Sequence, residues 1–243
     1  MRREVTPELM DDPAVDPSEL RRSLSYLRLV NRRFGGERAL LRHLSRWSGA
    51  WGPGPVTLLD VGTGSADLPV AACRWAVSRG LDLRVTGVDI HEGTLSAARE
   101  YVASCADVAG RITLECVDAR EIVDRFGAGS HDYAHAGLFL HHLPEIGVMT
   151  VLRAMDRVAR RGIVWNDLVR SRAARVLIEP MLWGRPRIVR HDARVSVRAG
   201  FTRREVEAIG RRLDLGYARY CVESPLFYRF TFAGERAGAW SGA

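Results

Sequence analysis

A short glycine-rich segment in the first third of the chain has the residue types of a cofactor-binding turn. An apolar run at residues 56–61 leads directly into Gly62-Thr63-Gly64, and a stretch with helical spacing follows. A buried strand that enters a glycine turn and then a helix is typical of a nucleotide-type pocket. In the dinucleotide pattern Gly-x-Gly-x-x-Gly the pyrophosphate lies on the helix N-terminus, but here the third glycine position is Asp67. Because a carboxylate there would repel a pyrophosphate, we predict a ligand without phosphate.

S-adenosyl-L-methionine satisfies this condition, since it is an adenosine with a sulfonium and an amino-acid tail. Nearby carboxylates attract a sulfonium cation instead of repelling it. The cofactor-binding residues predicted in this segment are Asp60, Gly62, Thr63, Gly64 and Asp67.

Two further acidic residues stand at the ends of predicted strands. Asp89 closes the run at residues 85–90, where it can accept hydrogen bonds from both ribose hydroxyls of an adenosine. Asp118 closes the next run, where it can bond an adenine amino group. Either acid alone could equally be a helix N-cap or a solvated loop residue. Acids after three successive strands favour a shared ligand.

The chain resembles class I, Rossmann-like S-adenosylmethionine-dependent methyltransferases. The segments that match are residues 58–66, 88–90, 117–119 and 138–144, with Ala66 where the family usually has a third glycine. The resemblance implies methyl transfer, and it adds Ile90, Ala119 and Leu138 to the predicted cofactor contacts.

Residues 30–36, 166–171 and 190–198 are similar to bacterial small-molecule methyltransferases of secondary metabolism, which are related to quinone-biosynthesis methyltransferases. This similarity implies a small aromatic acceptor and O-methylation of a phenol or hydroquinone. C-methylation in quinone-type biosynthesis is the alternative. An RNA methyltransferase, a non-catalytic cofactor-binding protein and a dehydrogenase are more distant alternatives, and the chain lacks the Asn/Asp-Pro-Pro-Tyr/Phe sequence common in nucleic-acid methyltransferases.

Histidine is the natural base for a phenolic acceptor. Methyl transfer from a sulfonium needs alignment and exclusion of water, and no metal is needed in principle. A phenol with a pKa of about 10 must lose or share its proton as the bond forms. The predicted catalytic candidates are His141 and His142, which follow the fourth strand, and His191, which stands at the end of a predicted basic loop at residues 184–190. The pair could instead cap the next helix, and His191 could be an ordinary exposed loop residue.

An N-terminal helix is predicted to act as a lid over the acceptor. Tyr26, Asn31 and Phe34 lie on this helix and precede a possible hinge at Gly35-Gly36. The alternative is a helix that simply packs on the sheet. Trp183, together with Trp165, Met181 and Leu182, could line an apolar acceptor pocket, although such residues are more often plain core.

Apolar periodicity sets the expected architecture around these residues. Helices at 18–34 and about 40–47 precede alternating strands and helices up to residue 165, which predicts a doubly wound, mostly parallel, seven-stranded Rossmann-like sheet. A helix-like stretch at 168–182 and a capped helix from Thr202 follow, and then a β-hairpin at 217–232. We therefore divide the chain into N-terminal helices on the substrate side (1–54) and a Rossmann-like methyltransferase domain (55–243), with an acceptor-pocket insertion at about 168–200.

The amino-acid composition excludes several classes of function. The 243 residues include 36 basic and 29 acidic side chains, a net charge of +7, and every basic residue is arginine. Without lysine, Schiff-base catalysis and a P-loop are excluded. The arginines are scattered, so no nucleic-acid partner is expected. Four distant cysteines suggest reduced core positions, no apolar run is long enough to span a membrane, and we expect a cytoplasmic protein that could form a homodimer.

Overall fold

The computed structural model describes residues 2–224 and 228–237. Seven strands form one sheet in the order β3-β2-β1-β4-β5-β7-β6. Their bounds are β1 Val56–Val61, β2 Leu83–Asp89, β3 Ile112–Cys116, β4 His131–Gly137, β5 Ala159–Leu168, β6 Arg219–Ser224 and β7 Arg229–Glu235.

Ten α-helices connect and flank these strands in the described part of the chain. They are α1 Pro17–Arg33, α2 Gly36–Trp47, α3 Asp67–Val77, α4 Glu92–Ala103, α5 Ile122–Phe126, α6 Glu145–Val158, α7 Arg172–Leu177, α8 Glu179–Leu182, α9 Arg187–Ala199 and α10 Arg203–Arg212. Short 3₁₀ turns lie at Leu9–Asp11 and Leu140–His142.

The sheet is mixed, and its topology places a crevice at one edge. Strands β1 to β5 are parallel, whereas β7 runs antiparallel to both β5 and β6. The strand order reverses between β1 and β4, and the carboxyl ends of parallel strands at such a switch point frame a ligand crevice. The predicted Rossmann-like seven-stranded fold is confirmed.

Side chains of the central strand β1 point alternately to the two faces of the sheet, which explains why helices cover both faces. In β1, Leu58 packs with side chains of α2, α3 and α4, whereas Leu59 and Val61 pack with those of α6 and α10. Successive strand residues point to opposite faces, so the near-continuous apolar run 56–61 matches a strand that is buried on both sides. The crevice-forming ends of the strands are thus fixed by two packed layers.

The C-terminal third departs from prediction in two places. The expected helix at 168–182 is wrong in part, because Leu168 ends β5 and a helix begins only after Ser171, whose hydroxyl accepts a hydrogen bond from the Ala174 amide. The predicted loop at 184–190 also gives way to α9 from Arg187. Buried Ile188, Val189 and Val195 in α9 have a helical spacing that the basic residues between them obscure.

Several smaller predictions can be compared with the structure. The capping box at Thr202 and Glu205 is present, and β6 and β7 form the predicted antiparallel pair. Cys73 and Cys105 are buried, but Cys116 is exposed and Cys221 is half-buried, so core burial of all four thiols is wrong. Among the described residues, no helix combines the length and the apolar character needed to cross a membrane. The predicted hairpin turn and frayed tail fall largely on residues 225–227 and 238–243, outside the described residues.

Candidate functional site

One cavity of about 650 Å³ lies at the carboxyl edge of the parallel strands. We divide its lining into two parts. The glycine-turn half contains Gly62, Gly64, Asp89, Ile90, Asp118, Ala119 and Leu138. The histidine half contains Glu8, Asp11, Tyr26, Phe34, His141, His142 and Met181, together with apolar side chains of α1 and of α7 to α9. The volume falls within the roughly 300–1,000 Å³ typical of small-molecule sites.

The turn after β1 needs glycine at two positions for different reasons. Gly62 and Gly64 have φ angles of +68° and +54°, in the left-handed region that other residues seldom adopt. A Cβ on Gly62 would also lie 2.7 Å from Cδ2 of Phe139, whereas the space beside Gly64 is open. The backbone at Gly64 can therefore be approached closely by a ligand.

Asp89 connects the end of β2 to this turn. Its carboxylate accepts hydrogen bonds from the Gly64 amide at 3.1 Å and from the His91 amide at 3.0 Å. Burial raises the pKa of Asp89 above its ordinary value. Each oxygen has capacity for a further donor, as the hydroxyls of a ribose would require.

Asp118 lies on the next strand end and is already partly engaged. It accepts hydrogen bonds from the Arg120 amide at 2.8 Å and from Arg120 Nε at 2.9 Å. The bonded guanidinium lowers the pKa of Asp118. Ile90, Ala119 and Leu138 line the same cavity as Asp118.

Three of the predicted cofactor contacts, Asp60, Thr63 and Asp67, do not line the cavity. Asp60 bonds the Thr63 hydroxyl at 2.7 Å and His135 Nδ1 at 2.6 Å beneath the turn. Asp67 is buried and accepts from the Ser65 hydroxyl at 2.8 Å. Burial raises the pKa of Asp67. These residues support the glycine turn from below.

Asn31 connects the first helix to the turn and to the far edge of the sheet. Its side-chain amide donates to Asp67 at 3.0 Å, and its carbonyl oxygen accepts from Arg229 Nη2 at 2.9 Å. Arg229 lines the cavity and is buried, which lowers its pKa to about 10, and its Nη1 has no hydrogen-bond partner in the described part of the chain.

Of the other predicted lid and pocket residues, some line the cavity and some do not. Tyr26 and Phe34 line the histidine half, as the lid prediction expects, although closure itself stays a prediction. Trp183 is 92% exposed and does not line the cavity. Trp165 is fully buried in an aromatic cluster with Phe201 and Phe230. Only Met181 of the predicted pocket set faces the cavity.

His141 and His142 both line the cavity and form the centre of an acidic cluster. Nδ1 of His141 bonds Asp167 at 2.7 Å, and Nδ1 of His142 bonds Asp11 at 2.9 Å. Nε2 of the two rings lies 3.5 Å and 3.9 Å from one Glu8 oxygen. Burial alone would lower the pKa of His141, but Asp167 and Glu8 outweigh it and raise the pKa well above the ordinary value.

His191 does not belong to this cluster directly. It lies in α9, 41% exposed and outside the cavity lining, and bonds Asp192 at 2.9 Å. Asp192 in turn accepts from the amides of Leu9 at 2.7 Å and Met10 at 3.1 Å. Through these bonds α9 holds the N-terminal turn that presents Glu8 and Asp11 to the histidines.

The sequence prediction did not include four residues of the cavity and its surroundings. They are Glu8, Asp11, Asp167 and Arg229. Asp167 lies in a segment that carried the family resemblance, so a signal for it was present. Glu8 and Asp11 precede the first predicted element, and only the folded chain brings them to His141, more than a hundred residues away.

The fold and the crevice already indicate a class of protein, without any comparison of sequences. A doubly wound sheet with an antiparallel β7 and a cavity at the carboxyl ends of its parallel strands is the class I methyltransferase architecture. Residues 58–162 match the model of the family described as "Methyltransferase domain". This segment runs from the glycine turn to β5.

Solved structures with the same fold have low sequence identity to this chain. Magnesium protoporphyrin IX methyltransferase of Synechocystis, crystallised with S-adenosylhomocysteine, is 15% identical with a TM-score of 0.59, over 91% of this chain and 100% of that one. A methyltransferase of Aquifex aeolicus is 17% identical with a TM-score of 0.58, over 91% and 98% of the two chains. A candidate O-methyltransferase of Nostoc punctiforme is 15% identical with a TM-score of 0.58; the match covers 83% of this chain but spans only 56% of that protein's chain.

No curated protein matches the sequence. The structural likenesses establish the fold, and the match over residues 58–162 supports methyltransferase activity, with S-adenosylmethionine as the methyl donor that this family uses.

Proposed function

We propose that this protein transfers a methyl group from S-adenosylmethionine to the oxygen of a small aromatic acceptor, a phenol or a hydroquinone of secondary metabolism. The observation that carries the proposal is one cavity whose glycine-turn half suits an adenosyl group and whose histidine half combines an apolar wall with two histidines. Donor and acceptor can thus meet in one cavity.

The glycine-turn half would hold the donor. Asp89 accepts hydrogen bonds from the ribose hydroxyls, while Ile90, Ala119 and Leu138 enclose the adenine ring beside Asp118. The open space beside Gly64 admits the amino-acid tail. The unpartnered Nη1 of Arg229 is available to the carboxylate of that tail. When bound, S-adenosylmethionine supplies a methyl group on a positively charged sulfur.

The histidine half would hold the acceptor. Leu24, Leu27, Ile178 and Met181 give it an apolar wall that favours an aromatic ring over a charged or nucleic-acid substrate. Closure of the cavity around the ring excludes water and aligns its oxygen for in-line displacement.

His142 would receive the phenolic proton. Asp167 fixes the ring of His141 by a bond to Nδ1, and together with Glu8 it raises the pKa of His141, so this ring already holds a proton near neutral pH and is not the base. His142 is less buried, with 23% of its side chain exposed, so it can pass the proton to solvent.

Two measurements test this proposal. Calorimetry should show that the purified chain binds S-adenosylhomocysteine at one site. Incubation with methyl-labelled S-adenosylmethionine and a panel of phenols and hydroquinones should then give a labelled product, and NMR of that product identifies the methylated atom. A carbon-methylated product would overturn O-methylation but keep the donor site. Tight binding of NADH without binding of S-adenosylhomocysteine would overturn the whole proposal.

A further inference from the structure

We infer that Glu8, His141 and His142 form a binding site for one divalent transition-metal ion in the histidine half of the cavity. The three side chains come from two segments, the N-terminal turn and the turn after β4. Their candidate ligand atoms all lie within 4.8 Å of one another.

The spacing of these atoms fits an ion better than it fits direct pairing. Nε2 of His141 and of His142 lie 3.5 Å and 3.9 Å from Oε1 of Glu8. Metal bonds of about 2.0–2.1 Å in a tetrahedral site separate neighbouring ligand atoms by about 3.4 Å. Where these histidines do pair with a carboxylate, at Asp167 and Asp11, the distances are 2.7 Å and 2.9 Å. The longer distances to Glu8 therefore leave room for an ion between the three groups.

A second observation is the unsatisfied nitrogen of His141. Its side chain is 4% exposed, and its Nε2 has no hydrogen-bond partner in the described part of the chain. A buried polar atom without a partner costs free energy, so its presence calls for an explanation such as an ion. This nitrogen is the one that approaches Glu8.

The surrounding carboxylates support the histidines as metal ligands. A metal-binding histidine usually donates its other ring N–H to a carboxylate, which fixes the tautomer and makes the free nitrogen a better ligand. Both histidines have this arrangement, with Asp167 on one Nδ1 and Asp11 on the other. The ring centroids are 4.3 Å apart with a 32° tilt, so the two rings lie side by side.

The charges of the cluster also favour a dication. Glu8, Asp11 and Asp167 bring three negatively charged carboxylates to the two imidazoles. Arg3, which donates to the carbonyl oxygen of His141 at 2.9 Å, supplies one positive charge nearby. A divalent ion compensates the remainder in a region where uncompensated charge is costly.

Two imidazole nitrogens and one carboxylate oxygen suit zinc, iron or cobalt, whereas magnesium prefers oxygen ligands. Three protein ligands leave at least one position open, and all three residues line the cavity. The hydroxyl oxygen of the acceptor could bind there and lose its proton more readily. This consequence rests on the proposed function, but binding of the metal alone does not. It also departs from the expectation that no metal is needed.

The test is a titration of the full chain with CoCl₂ after treatment with a chelator and gel filtration. We expect one equivalent of cobalt to give visible absorption bands of low-symmetry coordination, and ZnCl₂ to displace it. MgCl₂ should neither bind nor compete. Glu8→Gln and His142→Gln should each weaken cobalt affinity by about 100-fold. His131→Gln, at the opposite end of β4, is the matched control and should leave the affinity unchanged.

The outcomes of this titration distinguish a failure of the metal site from a failure of the proposed function. Equal cobalt affinity in the wild type, Glu8→Gln and His142→Gln would overturn the site, as would an equal loss in His131→Gln. Binding of S-adenosylhomocysteine, measured on every variant, shows that each one folds, because the donor residues lie in the other half. Cobalt binding without S-adenosylhomocysteine binding would keep the metal site and count against the methyltransferase proposal.

Discussion

The two halves of the cavity are built by different parts of the sequence. In the glycine-turn half, the lining comes from the ends of neighbouring parallel strands and the turns that follow them, so short segments carry it. In the histidine half, Glu8, His141, Asp167 and Asp192 come from four segments of the chain. Hydrogen bonds join Asp167 to His141 and Asp192 to the amide of Leu9, which is 183 residues away. We therefore expect losses in the first half to weaken ligand binding and losses in the second to weaken the fold.

The largest expected effect is at Asp167. Oδ1 accepts from His141 Nδ1 at 2.7 Å and the Leu168 amide at 2.8 Å, and Oδ2 accepts from Trp165 Nε1 and the His141 amide, both at 3.2 Å. In Asp167→Asn an NH₂ group must face N–H donors on one side. We expect urea unfolding to show a loss of about 3 kcal/mol or more.

Asp107→Asn is the control for Asp167, because Asp107 forms an exposed pair with Arg74 at 2.7 Å. Such pairs contribute little, so the free energy of unfolding of Asp107→Asn should match that of the wild type. An equally small effect of Asp167→Asn would contradict a structural role for the network of the histidine half.

Asp89→Asn should show the opposite behaviour. Removing the charge weakens the hydrogen bonds that the ribose hydroxyls donate, and we expect about a 10–100-fold loss of S-adenosylhomocysteine affinity by calorimetry. The free energy of unfolding should change by about 1 kcal/mol or less, because burial already disfavours this carboxylate. Asp82→Asn, just before the other end of β2, should leave the affinity unchanged. An unchanged affinity in Asp89→Asn would remove Asp89 from the donor site.

This difference between the two halves of the cavity also explains which features could be predicted from the sequence. The strand at Val56–Val61 has the bounds of the apolar run in the sequence, and the helix at Glu145–Val158 falls within the predicted alternation of strands and helices, because each has a strong local apolar pattern. Gly62, Gly64 and Asp89, which are predicted to contact the cofactor, all line the cavity, since strand order alone brings strand ends together.

What the sequence could not supply depends on the direction of side chains and on distant contacts. Asp60 and Asp67 belong to the glycine motif, but their carboxylates turn under it toward His135 and Asn31. Nothing local predicts that Glu8 meets His141. Basic residues lie between the apolar positions of α9 and obscure its helical spacing, so the predicted basic loop at 184–190 includes the first turn of this helix.

Gly36→Ala tests the connection between the halves. A Cβ at Gly36 would lie 2.9 Å from the Cα of Asn31, so backbone must move. Asn31 bonds both Asp67 and Arg229, and its displacement disturbs both partners. We expect a loss of about 1–2 kcal/mol in urea unfolding, even though alanine is the better helix former. Gly49→Ala, with no atom within 4 Å of its added Cβ, should be neutral, and equal stability of the two variants would contradict the tight junction.

The smallest effect concerns the pH dependence of stability at Asp67. Burial raises the pKa of this carboxyl in the folded state, and the facing charge of Asp60 adds to it against the hydrogen bonds of Asn31 and Ser65. Because the folded state holds this proton more tightly than the unfolded state, the Asp67 contribution to stability falls as pH rises from the ordinary carboxyl pKa through the raised one.

Asp67→Asn removes that titration while keeping an acceptor oxygen for Asn31. Glu37 and Arg229 also interact with Asp67, so the useful quantity is the difference in unfolding free energy between variant and wild type. Urea unfolding at about pH 4 and about pH 7 should show this difference moving in favour of the variant at the higher pH. A difference that is the same at both pH values would mean that Asp67 does not titrate in this interval. Its burial beneath the glycine turn would then carry no electrostatic cost, and the turn would depend on Asp67 only for packing and hydrogen bonds.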